Sequence, residues 1–307
     1  MNASLRIGTR GSPLALWQAR HVADLLRPLA GGRPVELVEI ETSGDVVRDL
    51  PLSQIGGDGV FTKEIQRALL DGRVDVAVHS LKDLPTTPVP ELVLGAVPPR
   101  GPSGDAFVSR RHRRFDDLPR GAVVGTSSLR RRSQALHRRP DLKLVNVRGN
   151  VGTRLSRLDG PELDALVLAQ AGLERLGLGN HITEILDPLW MLPAVGQGAL
   201  GLECRAEDAP TQTLLAPLND PATRQAVLAE RAFLRALGGG CLVPVGAAAA
   251  VRDGRLTLRG AVLPPDGSAR VAAEEVGPAE EAESVGGRLA AALLAAGARE
   301  LLERPRS

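Results

Sequence analysis

Cysteine is nearly absent: two residues in 307, Cys204 and Cys241. A disulfide framework is excluded as the basis of the fold, and the usage fits a reducing compartment or indifference to redox. Aromatic residues are as scarce, with four Phe, two Trp and no Tyr. A surface for single-stranded nucleic acid stacks bases on such rings at about 1–3 kcal/mol per base, and this chain has few to offer. The five histidines (His21, His79, His112, His137 and His181) are scattered without ligand spacing, so no metal site is expected. No uncharged apolar run reaches the roughly 20 residues of a membrane helix. The nearest, Ala236 to Val251, is broken by four glycines and a proline. The opening "MNASLRIGTRGSP" has no basic segment leading into an apolar one, so no export signal is read and a cytoplasmic setting is expected. Walker loops and a G-x-G-x-x-G after the first strand are missing too.

What the chain does have is uneven charge. The net charge is only +2, yet residues 128–157 hold nine Lys or Arg against one acid, Asp141. The stretch "EEVGPAEEAE" over 274–283 has five acids and no base. Such asymmetry is either a solvated face or the mark of an anionic partner, nucleic acid or a multiply charged small molecule. The shortage of rings disfavours single-stranded nucleic acid.

The chain length suggests two or three domains. "SLRI", "GTRGS" and "PLALWQARHVADLL" read as strand, turn and helix, with Ser12 as N-cap and Pro13 at the first helical position. The unit has a near copy, "AVVGTSSLRRRSQAL", whose helix starts near Leu129. "LLDGRVDVAVHS" and "RLDGPELDALVLAQ" form a second matched pair, each ending in a strand buried on both faces. Two similar halves of this kind predict two α/β lobes. Both Gly-Thr turns then fall at strand carboxyl ends, where helix N-termini and Arg10, Arg130 and Arg131 favour an anion; simple helix capping is the alternative. The last hundred residues change character. Period-2 stretches around Asp253-Gly254 and Asp266-Gly267 predict three antiparallel strands beginning near Cys241, followed by one helix over about 280–302.

"HSLKDLP" sets Lys82 and Asp83 just past the strand "VDVAV". A carboxylate there can stabilise a developing cation or exchange protons, or it can be half of a surface ion pair. His79 and Ser80 lack a nucleophile elbow and read as ordinary hydrogen-bonded strand-end residues.

In one order along nearly the whole chain stand "GTRGSPLALWQA", "VAVHSLKDLP", "VGTSSLRRRSQ", "VRGNVGTRLSRLD", "AGLERLGL", "LPAVGQGALGLECR" and "GGGCLVPVGA". Together they closely resemble the hydroxymethylbilane synthase, or porphobilinogen deaminase, family. The resemblance implies a transferase of porphyrin (heme) biosynthesis. It would join four porphobilinogen molecules head to tail on a covalent dipyrromethane cofactor, release four ammonia and yield hydroxymethylbilane by hydrolysis. It implies a thioether from Cys241 to the cofactor, brought within reach by the preceding glycines, and leaves Cys204 as a small buried hydrophobe. By position, Lys82, Thr126, Ser128, Arg130, Arg131, Gly149 and Arg154 resemble cofactor-holding residues. Arg10, Ser12, Gln18, Arg148 and Arg175 resemble the site of the incoming substrate. Asp83 resembles the catalytic carboxylate, set against the cationic intermediates of pyrrole coupling. A growing chain of six rings carries twelve carboxylates, which would give the arginines their purpose.

The implied fold has two periplasmic-binding-protein-like α/β lobes, over 1–98 with 199–216 and over 104–192. A C-terminal α+β domain over 221–307 carries a three-stranded antiparallel sheet. Neither a nucleic-acid nor a membrane partner is expected, and a monomer is. One departure concerns "LSQIGGDGVFTKE", where Asp58 stands in place of the family's usual Lys; this segment reads as a lid and not as a direct grip on substrate. The rival reading is a non-catalytic two-lobed anion-binding protein.

Overall fold

The computed structural model describes residues 4–46, 59–239 and 243–304. The chain divides into two compact units, Met1–Gly101 with Ala199–Arg224 and Pro102–Gly198 with Gln225–Ser307. In chain order the first unit holds β1 (Leu5–Thr9), α1 (Pro13–Leu26), β2 (Val35–Glu39), α2 (Ser43–Val46), α3 (Lys63–Leu70), β3 (Val76–Ser80) and β4 (Leu92–Ala96). The second begins with β5 (Asp105–Val108), β6 (Val123–Gly125), α4 (Leu129–Arg138), β7 (Lys143–Val145), α5 (Val151–Ser156), β8 (Ala165–Ala169), α6 (Gln170–Arg175) and β9 (Glu184–Ile185). The chain then returns to the first unit for β10 (Leu200–Arg205) and α7 (Ala209–Leu215). Next come α8 (Pro221–Ala236), β11 (Val245–Arg252), β12 (Arg255–Val262), β13 (Val271–Pro278), α9 (Ala282–Ala295) and α10 (Ala298–Glu303).

The two large sheets share one design. The first has order β2-β1-β3-β10-β4 and the second β7-β6-β8-β5-β9. In each, three parallel strands are followed by one antiparallel to both its neighbours, β10 or β5. The matched sequence segments occupy matched places: β1 with β6, β3 with β8, and α1 with α4. In the first sheet Leu5, Ile7, Val76, Val78 and Leu202 pack with Val22 and Leu26 of α1. On the opposite face Ala77 packs with Ile65, Ala68 and Leu69 of α3. Apolar residues on both faces of β3 follow from this double cover.

The helix starts are set locally. Ser12 accepts a hydrogen bond from the Ala15 N–H and Pro13 opens α1, while Ser128 accepts from the Arg131 N–H at the start of α4. The far end of the chain departs from the sequence expectation in two places. Asp253 (φ 50°) and Gly254 (φ 71°) make the expected two-residue hairpin between β11 and β12. Asp266-Gly267 instead lies within the longer link between β12 and β13, where Pro264 and Pro265 offer no N–H to a ladder and Gly267 N–H closes a turn on the Pro264 carbonyl at 2.9 Å. The single helix expected over 280–302 is two, because Gly297 takes a left-handed φ of 93° and ends α9.

The C-terminal sheet (order β11-β12-β13) lays Leu256, Leu258 and Val262 over Phe233 of α8 and Val285, Leu289 and Leu293 of α9. Gly286 makes the α8–α9 approach possible: a methyl there would lie 2.3 Å from the Ala229 carbonyl oxygen, whereas one at Gly287 would meet nothing within 4 Å. Two adjacent glycines of one helix therefore predict opposite signs. Gly287→Ala should gain up to about 1 kcal/mol from helix propensity. Gly286→Ala should lose about 1–3 kcal/mol to overpacking despite the same propensity gain. Thermal midpoints measured side by side check both.

Candidate functional site: charged groups at strand carboxyl ends

In the first unit, β1 and β3 run parallel as neighbours, so the segments leaving their carboxyl ends lie close together. Arg10 follows β1 and its guanidinium carbon stacks 4.1 Å from the Phe61 ring centre. Ser12 Oγ accepts the Ala15 N–H at the start of α1. Gln18 is buried and exchanges hydrogen bonds with Ser80 Oγ at 2.8 and 3.1 Å. From Ser80 the chain enters a 3-10 turn, Leu81–Asp83, with Leu81 buried and its N–H donating to the Ala199 carbonyl at 3.0 Å. Lys82 and Asp83 are half-buried on that turn. Asp83 makes no side-chain hydrogen bond or ion pair to any described residue. The structure thus gathers Arg10, Ser12, Gln18, Lys82 and Asp83 at one end of one sheet.

The second unit repeats the arrangement with more positive charge. Thr126, past the end of β6, accepts the Ser128 N–H at 3.3 Å, and Ser128 caps α4. The face that α4 buries is polar: Arg130 and Arg131 are only 4% and 6% exposed. Both reach Asp105, itself 0% exposed at the start of β5. Arg130 places Nη1 2.6 Å from one Asp105 oxygen, and Arg131 donates from Nε to the other at 2.9 Å. Gln197 adds a third donor at 2.9 Å and also pairs with Arg131. Burial pushes the Asp105 carboxyl up, but the two guanidinium charges outweigh it and hold the group well below the usual carboxylate range. Burial likewise lowers the Arg131 guanidinium against the charge of Asp105. One carboxylate faces two guanidiniums, and Arg130 Nε is buried without a hydrogen-bond partner.

Arg148 follows β7 and carries a second buried orphan donor, Nη1. Beside it Gly149 takes φ +104°, and a Cβ there would lie 2.8 Å from Thr153, so this left-handed, crowded position favours glycine. Arg154 folds back to donate from Nε to the Gly149 carbonyl at 2.8 Å, and Arg175 donates to the Gly198 carbonyl at 2.6 Å. Desolvation lowers the Arg175 guanidinium. Thr126, Ser128, Arg130, Arg131, Arg148, Gly149, Arg154 and Arg175 all belong to this one unit.

Cys241 and Asp58 lie outside the described residues. The glycines before Cys241 have a role of their own. Gly238 adopts φ +70° and Gly239 N–H donates to the Leu234 carbonyl at 3.0 Å, which ends α8. Gly239 is buried where a Cβ would lie 2.6 Å from Leu234 and 2.8 Å from Val243. Two of the three glycines are thus demanded by helix termination and packing. Cys204 is buried in β10, where desolvation and then Asp208 push its thiol up to about 11, so it is no nucleophile at neutral pH. Among the described residues no cluster of His, Cys, Asp and Glu is placed to hold a metal ion, and no helix is long and apolar enough to cross a membrane.

Three buried polar residues around the arginine helix went unread in the sequence: Asp105, Gln197 and Glu230. Glu230 accepts the Gly196 N–H at 2.7 Å and the Ala249 N–H at 2.9 Å, tying the Gln197 segment to β11. An Asp opening the apolar strand "DAFV" was the available signal, since the arginines of a buried helix face need a counter-charge.

These features define an α/β protein with two large mixed sheets, buried arginines past strand ends of the second, and a third, antiparallel sheet. Residues 5–213 match the family model "Porphobilinogen deaminase, dipyromethane cofactor binding domain", and residues 224–295 match "Porphobilinogen deaminase, C-terminal domain". The chain belongs to the porphobilinogen deaminase family. It is 51% identical over 301 residues to the porphobilinogen deaminase of Syntrophotalea carbinolica, covering 98% of this chain and 96% of that one. It is also 51% identical over 300 residues to that of Maridesulfovibrio salexigens, covering 98% and 97%. Among solved structures, the methionine binding protein MetQ is similar at 16% identity and a TM-score of 0.45, over 73% of this chain and 90% of that one. A periplasmic substrate-binding protein of an ABC transporter from Coxiella burnetii is similar at 16% identity and a TM-score of 0.44, over 70% and 91%.

Asp105→Asn should destabilise the protein by about 3–5 kcal/mol, because it leaves two buried guanidiniums without their counter-ion. The native carboxyl is held below its ordinary value, so its contribution is complete above about pH 5 and shrinks as the pH falls. Urea titrations at several pH values should show the wild-type and variant stabilities converging in acid.

Proposed function

We propose that the chain joins porphobilinogen units head to tail on a dipyrromethane held by a thioether to Cys241, releasing one ammonia per unit, and that water cleaves the four-unit product from the cofactor as hydroxymethylbilane. The observation that carries this reading is Asp83, a half-buried carboxylate at the carboxyl end of β3, beside Lys82 and with no side-chain partner among the described residues. Family membership over nearly the whole chain supports the same reaction.

The residues present suit a carboxylate-bearing dipyrrole. Among the described residues Arg148 Nη1 and Arg130 Nε are buried donors without acceptors, and two arginines face the single Asp105. Lys82, Thr126, Ser128, Arg130, Arg131, Gly149 and Arg154 are the residues that would hold the cofactor. Bound there, the dipyrromethane supplies a nucleophilic pyrrole carbon. Arg10, Ser12, Gln18, Arg148 and Arg175 would receive the acetate and propionate of incoming porphobilinogen, the arginines through paired hydrogen bonds. Asp83 has two tasks. Its carboxylate stabilises the positive charge that forms on the substrate's pyrrole nitrogen as ammonia leaves. It then accepts or relays the proton lost when coupling restores aromaticity.

With this reading goes a three-part division, 1–98 with 199–216, 104–192, and 221–307, the last carrying the cofactor thiol. A monomeric state and a cytoplasmic setting also go with it, consistent with two cysteines in the chain.

Asp83→Asn should keep the attached dipyrromethane but lose turnover on the order of 10²–10³-fold, the usual cost of removing one charge-stabilising group. Ammonia release from porphobilinogen measures it, and near wild-type rates would refute the assigned role. Intact mass tests the attachment. Cys241→Ser should lose both the added mass and the activity, Cys204→Ser should keep both, and the added mass should survive dithiothreitol because a thioether is not reducible by thiols. An unmodified, fully active wild-type protein would defeat the reading as a whole.

A further inference from the structure

The layer between the first sheet and α3 is apolar, built from Ile40, Ile65, Ala68, Leu69, Val74, Ala77 and Leu92. Three polar side chains interrupt it: His79 on β3, Glu203 on β10 and Gln66 on α3. Strand alternation puts His79 and Glu203 on this face. Their antiparallel register pairs His79 with Gly201 and Glu203 with Ala77, so the two residues meet on a diagonal. Gln66 Nε2 donates to both Glu203 oxygens at 3.2 and 3.1 Å. His79 Nε2 lies 3.0 Å from Glu203 Oε2 but off the line of a good hydrogen bond. His79 is 4% exposed and Glu203 6%.

Burying a carboxylate and an imidazole carries a desolvation cost that well-packed apolar residues avoid. Packing alone therefore gives no reason for the trio. Its location does. His79 is the last residue of β3 to face α3. The next residue, Ser80, points the other way and is held by Gln18 at 2.8 Å. Leu81 follows, with its N–H on the Ala199 carbonyl and its side chain filling the space over Gly201, where a Cβ would lie 2.6 Å from Leu81 Cδ1. The strand end is thus gripped on both faces immediately before the turn that carries Lys82 and Asp83.

The geometry points to the His79–Glu203 pair, braced by Gln66, as a positioning device for the reaction. It fixes the exit of β3 so that Asp83 presents its carboxylate to the pyrrole nitrogen in one orientation. The inference rests on the role of Asp83 proposed above. His79, Glu203 and Gln66 act through Asp83 and touch no reacting atom.

The test uses the holoenzyme and compares Glu203→Gln with the apolar triple variant His79→Leu, Glu203→Leu, Gln66→Leu. The readouts are intact mass, thermal midpoint, and kcat and KM for porphobilinogen. Both variants should carry dipyrromethane, and the triple should melt no lower than wild type. In both, kcat should fall about 10–100-fold with KM within about twofold, since small misplacement of a reacting group costs rate more than binding. Wild-type kcat in either loaded variant overturns the inference. A double-mutant cycle keeps it testable if the triple does not fold. Glu203→Gln should lower kcat in the wild-type background and change it less than about twofold in an Asp83→Asn background. An equal loss in both backgrounds means the pair does not act through Asp83 and also overturns it. Failure of the underlying reading looks different: wild-type protein would then carry no dipyrromethane or release no ammonia.

Discussion

One carboxylate organises the second unit. Asp105 is fully buried and receives Arg130, Arg131 and Gln197 together. Without it, the buried face of α4 would bring two guanidiniums into a low-dielectric interior without their counter-ion, at a cost of about 3–5 kcal/mol. With it, the most basic stretch of the chain becomes a packed element, not a solvated one. Gln197 then passes the constraint onward, because Glu230 holds the neighbouring Gly196 and also Ala249 of β11. Hydrogen bonds on either side of the Gly196–Gln197 peptide therefore join the arginine helix to the first strand of the C-terminal sheet. The same network leaves positive charge in excess and a buried N–H without an acceptor, an arrangement suited to an anionic ligand.

What could be read in advance was whatever short-range chemistry decides. Ser12-Pro13 marks the start of α1, the helix read from near Leu129 starts there, and the duplicated strand–turn–helix units appear as two sheets of identical order. Asp253-Gly254 makes its hairpin because it stands alone between two strand patterns. Asp266-Gly267 also lies between two antiparallel strands, but in a longer loop, because the preceding Pro264-Pro265 offers no N–H to a ladder. The helix stop at Gly297 was lost inside an otherwise continuous apolar pattern. Long-range pairs were the real blind spot. Arg130 and Asp105 are 25 positions apart and Arg131 and Gln197 are 66 apart, distances at which no periodicity informs. The family motifs named the arginines and Asp83, but not the residues that hold them.

The glycines before Cys241 show how a functional motif and a structural one can share residues. Gly238 and Gly239 end α8 and pack under Leu234 and Val243. Flexibility is therefore a poor description of them: their conformations are fixed, and what they fix is the direction in which the chain leaves the helix. A substitution here would act first on the helix end and only through it on whatever the cysteine carries.

The shared sheet order also sets a schedule for synthesis. Among the described residues β4 pairs with β10 alone, and the inner edge of β3 is closed by the same strand. About a hundred residues, including most of the second unit, are translated between β4 and β10. At about 5–20 residues per second, the first sheet stands with an open edge and an unpaired strand for roughly 5–20 s on the ribosome. An exposed edge of that kind is a template for wrong pairing. The nascent chain's exposure to chaperones, and its sensitivity to slowed elongation, should therefore be greatest between residues 96 and 205 and fall once β10 has emerged and inserted.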